Sequence, residues 1–146
     1  MAARRSAMNT SEIKEYFKND RFADMVGIEI DSIAADEVVC SLHIEAHHLN
    51  AGNKVQGGAI FTLADYAFAV ACNYDGLSQN KKTITVGHAC NITYFNPATG
   101  TKLIAKSECM QKGRKLSVFR VTVTDDKGTN IAEMTCTAYT VNLEKR

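Results

Sequence analysis

A single carboxylate stands in a long apolar stretch of this chain, where it could act as a base or a nucleophile. The stretch covers residues 57–73, begins with Gly57 and Gly58, and has Asp65 near its middle. A helix that is apolar on nearly every side belongs in a protein core. A carboxylate there is costly unless another group pairs with it or a reaction uses it, so Asp65 is the first candidate for chemistry.

Small and polar residues share one face of the helix predicted from this stretch. At about 100° per residue, the residues on the same side as Asp65 are Gly58, Thr62, Ala69 and Asn73. The first N–H groups of a helix have no partner within it and favour an oxygen anion, and glycine lets a ligand approach them. A carbonyl becoming an oxyanion is one candidate occupant, with Asp65 attacking its carbon or activating a water.

The same residues also permit a purely structural interpretation. A glycine pair can begin a helix merely because the packing there is tight. A buried Asp65 can simply accept hydrogen bonds from a neighbouring loop. The pattern alone leaves both interpretations open.

Several elements must position this helix from the N-terminal side. The sequence predicts a helix over residues 11–19, a short turn over 22–26, strands over 27–31 and 38–44, and a loop over 46–55. Asn9 and Glu12 form a capping-box pattern before the first helix, and Gly27 is expected to end the short turn. Asp75, Gly76 and the polar segment that continues to Lys82 are expected to close the central helix.

The C-terminal half is predicted to consist of strands. They cover residues 83–95, 102–110, 116–124 and 130–142. Short connections that contain glycine indicate antiparallel hairpins. An antiparallel β-sheet wrapped around a long central helix, with an N-terminal helix beside it, satisfies this order, so the predicted fold class is α+β.

Composition limits the possible partners and location. The 146 residues suit one domain over 1–146, of which 1–8 are expected to be disordered. The net charge of +1 predicts no general attraction to nucleic acid or a membrane surface. The longest apolar run is too short to span a membrane, and the first ten residues lack the apolar centre of a signal peptide. A cytoplasmic location is therefore expected.

Neither the cysteines nor the histidines have the spacing of a metal site, and no metal is expected. The five cysteines are Cys40, Cys72, Cys90, Cys109 and Cys136. Their odd number and scattered positions argue against a disulfide framework, so they are expected to be small buried hydrophobes. His43 is expected to be exposed, His47 and His48 to be solvated in the loop, and His88 could reach the site.

One set of residues has the spacing of a known family. It comprises Asn50, Gly57, Gly58, Leu63, Asp65 and Ala67, together with the segments at 91–97 and 113–114. This pattern resembles the signature of hotdog-fold acyl-CoA thioesterases, in particular the phenylacetic-acid-degradation (PaaI-like) subfamily. The resemblance covers residues 20–141 approximately.

The resemblance implies a fold, an assembly and roles for several residues. It implies a hotdog fold, in which two chains pair their sheets edge to edge and dimers often form tetramers. The active sites would lie at the dimer interface, where an acyl-CoA substrate binds without a cofactor. Asp65 would be the general base or nucleophile, the Gly57 N–H would polarise the thioester carbonyl, and Asn50 would hold the carbonyl or the attacking water.

Two positions depart from the family pattern. Gln56 stands where the family usually has histidine; its amide can donate a hydrogen bond but cannot supply a proton, so Gln56 is expected to be a positioning group. Gly87 stands where some relatives carry a serine that orients water. Thr83, Thr85 or His88 could replace that serine, or Asp65 alone could hold the water.

Further contacts to the substrate are expected at both ends of it. Gly58, Thr62, Gly87 and His88 are expected to contact the substrate. Coenzyme A carries phosphates, which favour basic partners. The candidates are Arg114, Lys115 and Lys112 on the hairpin turn, with Lys81 and Lys82 as second choice.

Other functions remain compatible with the same sequence. A non-catalytic acyl-CoA binding or sensor protein is the main alternative, because Gln56 and Gly87 replace residues that act in turnover. Hotdog dehydratase chemistry is disfavoured, since it depends on a histidine that is absent from the expected loop position.

Overall fold

The computed structural model describes residues 7–145 and contains one six-stranded antiparallel sheet wrapped around a long helix. The helices are α1 (Thr10–Phe17), α2 (Arg21–Val26) and α3 (Gly57–Ser78). The strands are β1 (Ile28–Ile33), β2 (Glu37–His43), β3 (Thr83–Tyr94), β4 (Lys102–Lys112), β5 (Leu116–Asp125) and β6 (Asn130–Asn142). Single 3-10 turns lie at Ala46–His48 and Leu143–Lys145. The predicted α+β hotdog arrangement is confirmed.

The sheet order is β1-β2-β4-β5-β6-β3, and every neighbouring pair is antiparallel. The hairpins β4–β5 and β5–β6 follow the predicted glycine-containing turns. The segment between β2 and β3 contains α3, and this long connection places β3 at the far end of the sheet from β1. The twelve residues of β3 therefore pair with β6 on one side only.

The core lies between α3 and the concave face of the sheet. The ring of Phe68 on α3 meets the ring of Phe119 on β5 edge to face, with centroids 5.4 Å apart. Alternate residues of β5 are buried, among them Val121 and Val123. This period of two confirms that one face of the sheet packs on the helix.

Local capping signals predicted the N-terminal helices correctly. The Asn9 side chain accepts the N–H of Glu12, and the Glu12 carboxylate accepts the N–H of Asn9, so the capping box is formed. Gly27 ends α2 in the left-handed conformation with φ 94°. Of the predicted disordered segment 1–8, residues 1–6 lie outside the described part. Met8 donates its N–H to the carbonyl of Leu77, 3.0 Å away.

The central helix ends within the segment 75–82 that was predicted to close it, although Gly76 itself is helical. α3 continues through Asp75 and Gly76 to Ser78. A Cβ added to Gly76 would lie 3.3 Å from the Thr83 hydroxyl oxygen. Gly76 therefore permits a close approach between α3 and the start of β3 and does not break the helix.

Among residues 7–145, no helix is long and apolar enough to cross a membrane.

The cysteines do not all lie in the core. Cys40 and Cys136 are buried as predicted, and Cys72 is half-buried. Cys90 and Cys109 are exposed, which corrects the prediction. Cys90 lies on the terminal strand β3, and Cys109 lies at an irregularity in the β4–β5 pairing. Both are therefore exposed, although their neighbours in the sequence are apolar.

Candidate active site

The start of α3 is built around Gln56. Gln56 is the N-cap of the helix, and its Oε1 accepts the N–H of Ala59 at 3.2 Å. A Cβ added to Gly58 would lie 2.5 Å from that same Oε1, so a larger residue at position 58 would displace the Gln56 side chain from this cap. Among residues 7–145 no acceptor is found for the N–H groups of Gly57 and Gly58. The two donors are thus free to bind an oxygen atom of a ligand.

Tyr94 holds this turn from the end of β3. Its hydroxyl donates to the Gly57 carbonyl at 3.0 Å, and a Cβ on Gly57 would lie 3.3 Å from the Tyr94 ring. The Gly57 carbonyl and the Gly58 N–H belong to one peptide group. A hydrogen bond to the carbonyl therefore orients that group and strengthens its N–H as a donor. The sequence analysis did not assign Tyr94 a role, although it belongs to the 91–97 segment of the family pattern.

His48 fixes the loop that leads to the turn. Its carbonyl accepts the N–H of Gln56 at 2.8 Å. Its Nδ1 accepts the N–H of Glu45 at 3.0 Å, and its Nε2 donates to the Val26 carbonyl at 2.6 Å. These partners select the neutral tautomer with the proton on Nε2. With 4% of its surface exposed, His48 corrects the prediction of a solvated loop histidine, whereas His47 is exposed as predicted.

Asn50 closes the same loop. Its Oδ1 accepts the N–H groups of Gly52 and Lys54 at 2.9 and 3.1 Å. Leu49 and Val55 pair across the loop as an isolated antiparallel bridge. The Asn50 side chain is exposed, and its amide nitrogen is left to donate to a ligand. One chain therefore brings Asn50, Gln56 and the glycine pair into one loop and helix start.

Asp65 lies on the single side of α3 that the sheet leaves open. Gly58 and Asp65 are exposed on this side, and Thr62 is half-buried with its hydroxyl donated to the Gly58 carbonyl at 2.7 Å. No basic side chain lies within ion-pair distance of Asp65 in the part of the chain that the structure describes. The prediction that Asp65 is enclosed in the core is therefore wrong for a single chain.

The surroundings of Asp65 still favour its neutral form. Burial by neighbouring side chains raises the pKa of the Asp65 carboxyl above its usual range, and the negative charge of Asp20 raises it further. A carboxylate that holds its proton more tightly is also a stronger base when ionised. This property suits a group that removes a proton from water.

Gly87 and His88 lie in an irregular part of β3. A Cβ on Gly87 would lie 3.3 Å from the Phe68 ring, so a larger residue would press on the core. The β3–β6 register shifts between Gly87 and Ala89, and His88 is the additional residue. Its ring faces the ring of Tyr139 at 6.3 Å, and within one chain it is not brought to the Gly57 turn.

Arg114 lies at the opposite end of α3 from Gly57. With Lys81 and Lys112 it lines a cavity of about 350 Å³ beside Asp75, and Lys112 forms an ion pair with Asp75. The eighteen residues between Gly57 and Asp75 correspond to about 27 Å along the helix axis.

The other basic candidates have different surroundings. Lys82 pairs with Glu144 at 2.7 Å, which leaves it less suited to a phosphate. Lys115 follows Arg114 in the exposed turn, and its carbonyl accepts the N–H of Thr140. Neither Arg114 nor Lys115 has an ion-pair partner among the residues described.

Comparison with known proteins adds sequence and structural relatives. The family model described as the thioesterase superfamily matches residues 52–132, more than half of the chain. Acyl-coenzyme A thioesterase PaaI of Escherichia coli K12 is 31% identical over 117 residues, which cover 80% of this chain and 79% of the relative. Acyl-coenzyme A thioesterase 13 of Homo sapiens is 29% identical over 115 residues, with coverage of 77% and 79%.

Comparison of the fold with solved structures gives similar proteins. The E. coli PaaI protein of the phenylacetic acid degradation operon superposes with a TM-score of 0.78 at 26% identity, covering 87% of this chain and 88% of that one. The TT0310 protein of Thermus thermophilus gives a TM-score of 0.73 at 29% identity, with coverage of 82% and 97%.

Proposed function

The chain belongs to the thioesterase superfamily, within its PaaI-like hotdog branch, and is a thioester hydrolase; from this premise we propose that it hydrolyses acyl-CoA to a free acid and coenzyme A. Asp65 acts as the base or nucleophile, and the Gly57 N–H polarises the thioester carbonyl. The observation that carries this proposal is the pair of free N–H groups at the Gly57–Gly58 turn on the same helix as an uncovered carboxylate.

The geometry of α3 requires two chains for one site. Gly57 and Asp65 are eight residues apart on one helix, which places them about 12 Å apart along its axis. Reacting groups must approach to about 3 Å, so a carbonyl held at Gly57 is out of reach of Asp65 in the same chain. We infer that Asp65 of the partner subunit serves each site, as the family resemblance implies.

The free edge of β3 is the surface that supports pairing of two chains. Beyond Gly87, the residues of β3 whose N–H and C=O groups point away from β6 are Cys90, Ile92 and Tyr94. A long unpaired edge is a template for another strand. Antiparallel pairing of two β3 strands about a two-fold axis would satisfy these groups and produce a homodimer, alone or within a tetramer.

Asn73 limits where this pairing can occur. Thr140 donates its N–H to Lys115 on the β5 side, so Thr85, opposite Thr140, directs its own backbone groups out of the sheet. The Asn73 side chain occupies these groups, donating to the Thr85 carbonyl at 2.9 Å and accepting the Thr85 N–H at 3.0 Å. The edge open to a second chain therefore begins after Thr85.

The proposed reaction needs only a water molecule besides the substrate. The Gly57 N–H, together with the neighbouring Gly58 N–H and assisted by the Gln56 amide and Asn50, binds the thioester carbonyl oxygen. Asp65 either removes a proton from the attacking water or attacks the carbonyl carbon itself, giving an anhydride that water then hydrolyses. The carbon–sulfur bond breaks, and the thiolate of coenzyme A leaves and takes up a proton. Gln56 cannot supply that proton. In the route through activated water, the protonated Asp65 returns the proton it removed; in the anhydride route, solvent supplies the proton.

Coenzyme A would extend from this site toward basic residues of the second chain. Asp75, beside which Arg114 lies, is about 27 Å from the Gly57 turn of its own chain along α3, and Lys115 follows Arg114 in the chain. If the two α3 helices run antiparallel across the dimer axis, the hairpin of one chain approaches the turn of the other. We therefore propose that Arg114 and Lys115 of the partner subunit contact the phosphates.

A thiol-release assay over a panel of acyl-CoA esters tests this function. Wild-type protein should release coenzyme A, and Asp65→Asn should lower kcat by about 10²–10⁴ while the far-ultraviolet circular dichroism stays unchanged. Glu133→Gln, which alters a surface carboxylate paired with Arg120, is the control and should retain activity. Tight binding of acyl-CoA without thiol release would instead support the binding or sensor function.

A further inference from the structure

A cavity of about 410 Å³ opens on one side of the Gly57–Gly58 turn. One wall is formed by α2, through Phe22, Met25 and Val26. The opposite wall is the first turns of α3, through Gly58, Ala59 and Thr62. We call this space the α2 cavity; its volume falls within the range of about 300–1,000 Å³ that small-molecule sites occupy.

The α2 wall exposes large apolar side chains. Phe22 and Met25 are 59% and 69% exposed. With Val26 they follow the spacing i, i+3, i+4, so they share one face of the short helix. Ala23, on another side of α2, is buried in the core. α2 therefore anchors itself through one face and presents a second apolar face to the cavity, which a ligand can cover.

The polar groups that border the α2 cavity are almost all used. Both ring nitrogens of His48 are hydrogen-bonded, to Glu45 and Val26. The Thr62 hydroxyl donates to the Gly58 carbonyl. The exposed ring of His47 also lines the cavity, with its Nδ1 3.6 Å from the Glu45 carboxylate. At the turn, the Gln56 amide and the Gly58 N–H remain free to bind a ligand. The cavity is thus apolar along its α2 wall and polar at the end where a carbonyl would sit.

We propose that the α2 cavity binds the hydrocarbon part of the acyl group, and that Phe22 and Met25 make the site selective for uncharged, apolar acyl groups. This inference rests on the proposed function, since it uses the Gly57–Gly58 turn as the carbonyl site. The described residues that line the cavity include no lysine or arginine, and α2 carries Asp24 and is capped by Asp20. An acyl group that ends in a carboxylate is therefore excluded.

Chain length gives the first measurement. Each buried methylene is worth about fourfold in affinity, so kcat/KM should rise by about tenfold per two carbons from acetyl-CoA to octanoyl-CoA. Pentanoyl-CoA and glutaryl-CoA have equal carbon chains and differ in a terminal carboxylate. Glutaryl-CoA should be hydrolysed at least tenfold less efficiently than pentanoyl-CoA.

Variants of the α2 wall give the second measurement. Met25→Ala and Phe22→Ala should lower kcat/KM for octanoyl-CoA at least fivefold and change that for acetyl-CoA less than twofold. Met110→Ala removes a methionine that is similarly exposed, on β4, and should change neither. Equal losses for both substrates, unchanged selectivity, or efficient hydrolysis of glutaryl-CoA would overturn the inference.

A binding experiment separates this inference from the proposed hydrolysis. Isothermal titration with S-alkyl-CoA thioethers, which cannot be hydrolysed, should show affinity that rises with alkyl length and a flatter rise in Met25→Ala. If wild-type protein shows that dependence but releases no thiol from any ester, the hydrolysis is wrong and the acyl site stands. If it hydrolyses esters but the thioether affinities are independent of length in both proteins, the acyl site is wrong.

Discussion

Replacing Tyr94 with phenylalanine removes the hydroxyl that donates to the Gly57 carbonyl and leaves the ring that packs against the turn. Burial raises the pKa of the Tyr94 hydroxyl, so it remains a protonated donor throughout the neutral range. The variant therefore loses one hydrogen bond and little packing. The peptide group that it frees is the one that carries the Gly58 N–H.

The size of the effect follows from the net value of one hydrogen bond. A neutral hydrogen bond contributes about 0.5–1.5 kcal/mol. If its loss is felt when negative charge develops on the substrate oxygen, about 1 kcal/mol corresponds to roughly a fivefold lower kcat. KM should stay within about twofold, since the hydroxyl does not contact the substrate. The free energy of unfolding should fall by no more than about 1 kcal/mol.

Tyr66→Phe is the matched control. Tyr66 also donates its hydroxyl to a backbone carbonyl, that of Phe17 at 3.3 Å, from the buried side of α3. Both variants should lower the melting temperature by a few degrees. Thiol-release kinetics should show a lower kcat in Tyr94→Phe alone. If Tyr94→Phe keeps its kcat, or if Tyr66→Phe loses as much, the hydroxyl does not act on the Gly57–Gly58 peptide.

Three further outcomes are expected. The pKa of the Asp65 carboxyl is raised in the folded protein, so the folded protein binds this proton more tightly than the unfolded chain does. Ionising Asp65 therefore lowers the free energy of unfolding as the pH rises. Asp65→Asn should melt higher than wild type at pH 7, and the difference should vanish below about pH 4. Burial alone would raise the pKa of Asp125, but hydrogen bonds from the N–H groups of Thr99, Thr129 and Gly100 outweigh burial and hold that pKa well below its usual range. The ionised carboxylate therefore stabilises the folded protein at neutral pH. Asp125→Ala should melt lower than wild type at pH 7, and the difference should shrink as the carboxylate is protonated in strong acid. Replacing Arg114 and Lys115 together by alanine should raise the KM for acyl-CoA several-fold with kcat unchanged, and an unchanged KM would refute the phosphate contact.

Local sequence signals predicted most of the fold. The capping box at Asn9 and the stop at Gly27 act within a few residues, and each was found where the pattern placed it. The role of Gly76 within α3 was missed, because the reason for this glycine is a contact with Thr83, on the next element. A glycine that permits close packing and a glycine that ends a helix look the same in sequence.

The candidate site was predicted less completely, for the same reason. The burial of His48 depends on the Val26 carbonyl, 22 residues earlier in the chain. The contact of Tyr94 with Gly57 joins residues 37 positions apart. The periodicity of apolar residues cannot reveal such long-range contacts, because it reflects only residues that are close together in the chain. The family pattern proposes Gly57, Asp65 and the positioning residue Gln56, but it does not assign a role to His48 or Tyr94, which hold the turn.

The exposure of Asp65 and the free edge of β3 have one explanation. Asn73 lies on the same side of α3 as Asp65, and it contacts the outward-facing groups of Thr85 at the edge of β3. The open side of the helix therefore runs along the open edge of the sheet. In the proposed dimer, a second chain that pairs with β3 also covers Asp65 and brings it opposite the other chain's Gly57 turn. Such a dimer would complete the apolar surroundings of Asp65, which accounts for a helix that looks fully buried in sequence but is open on one side in a single chain.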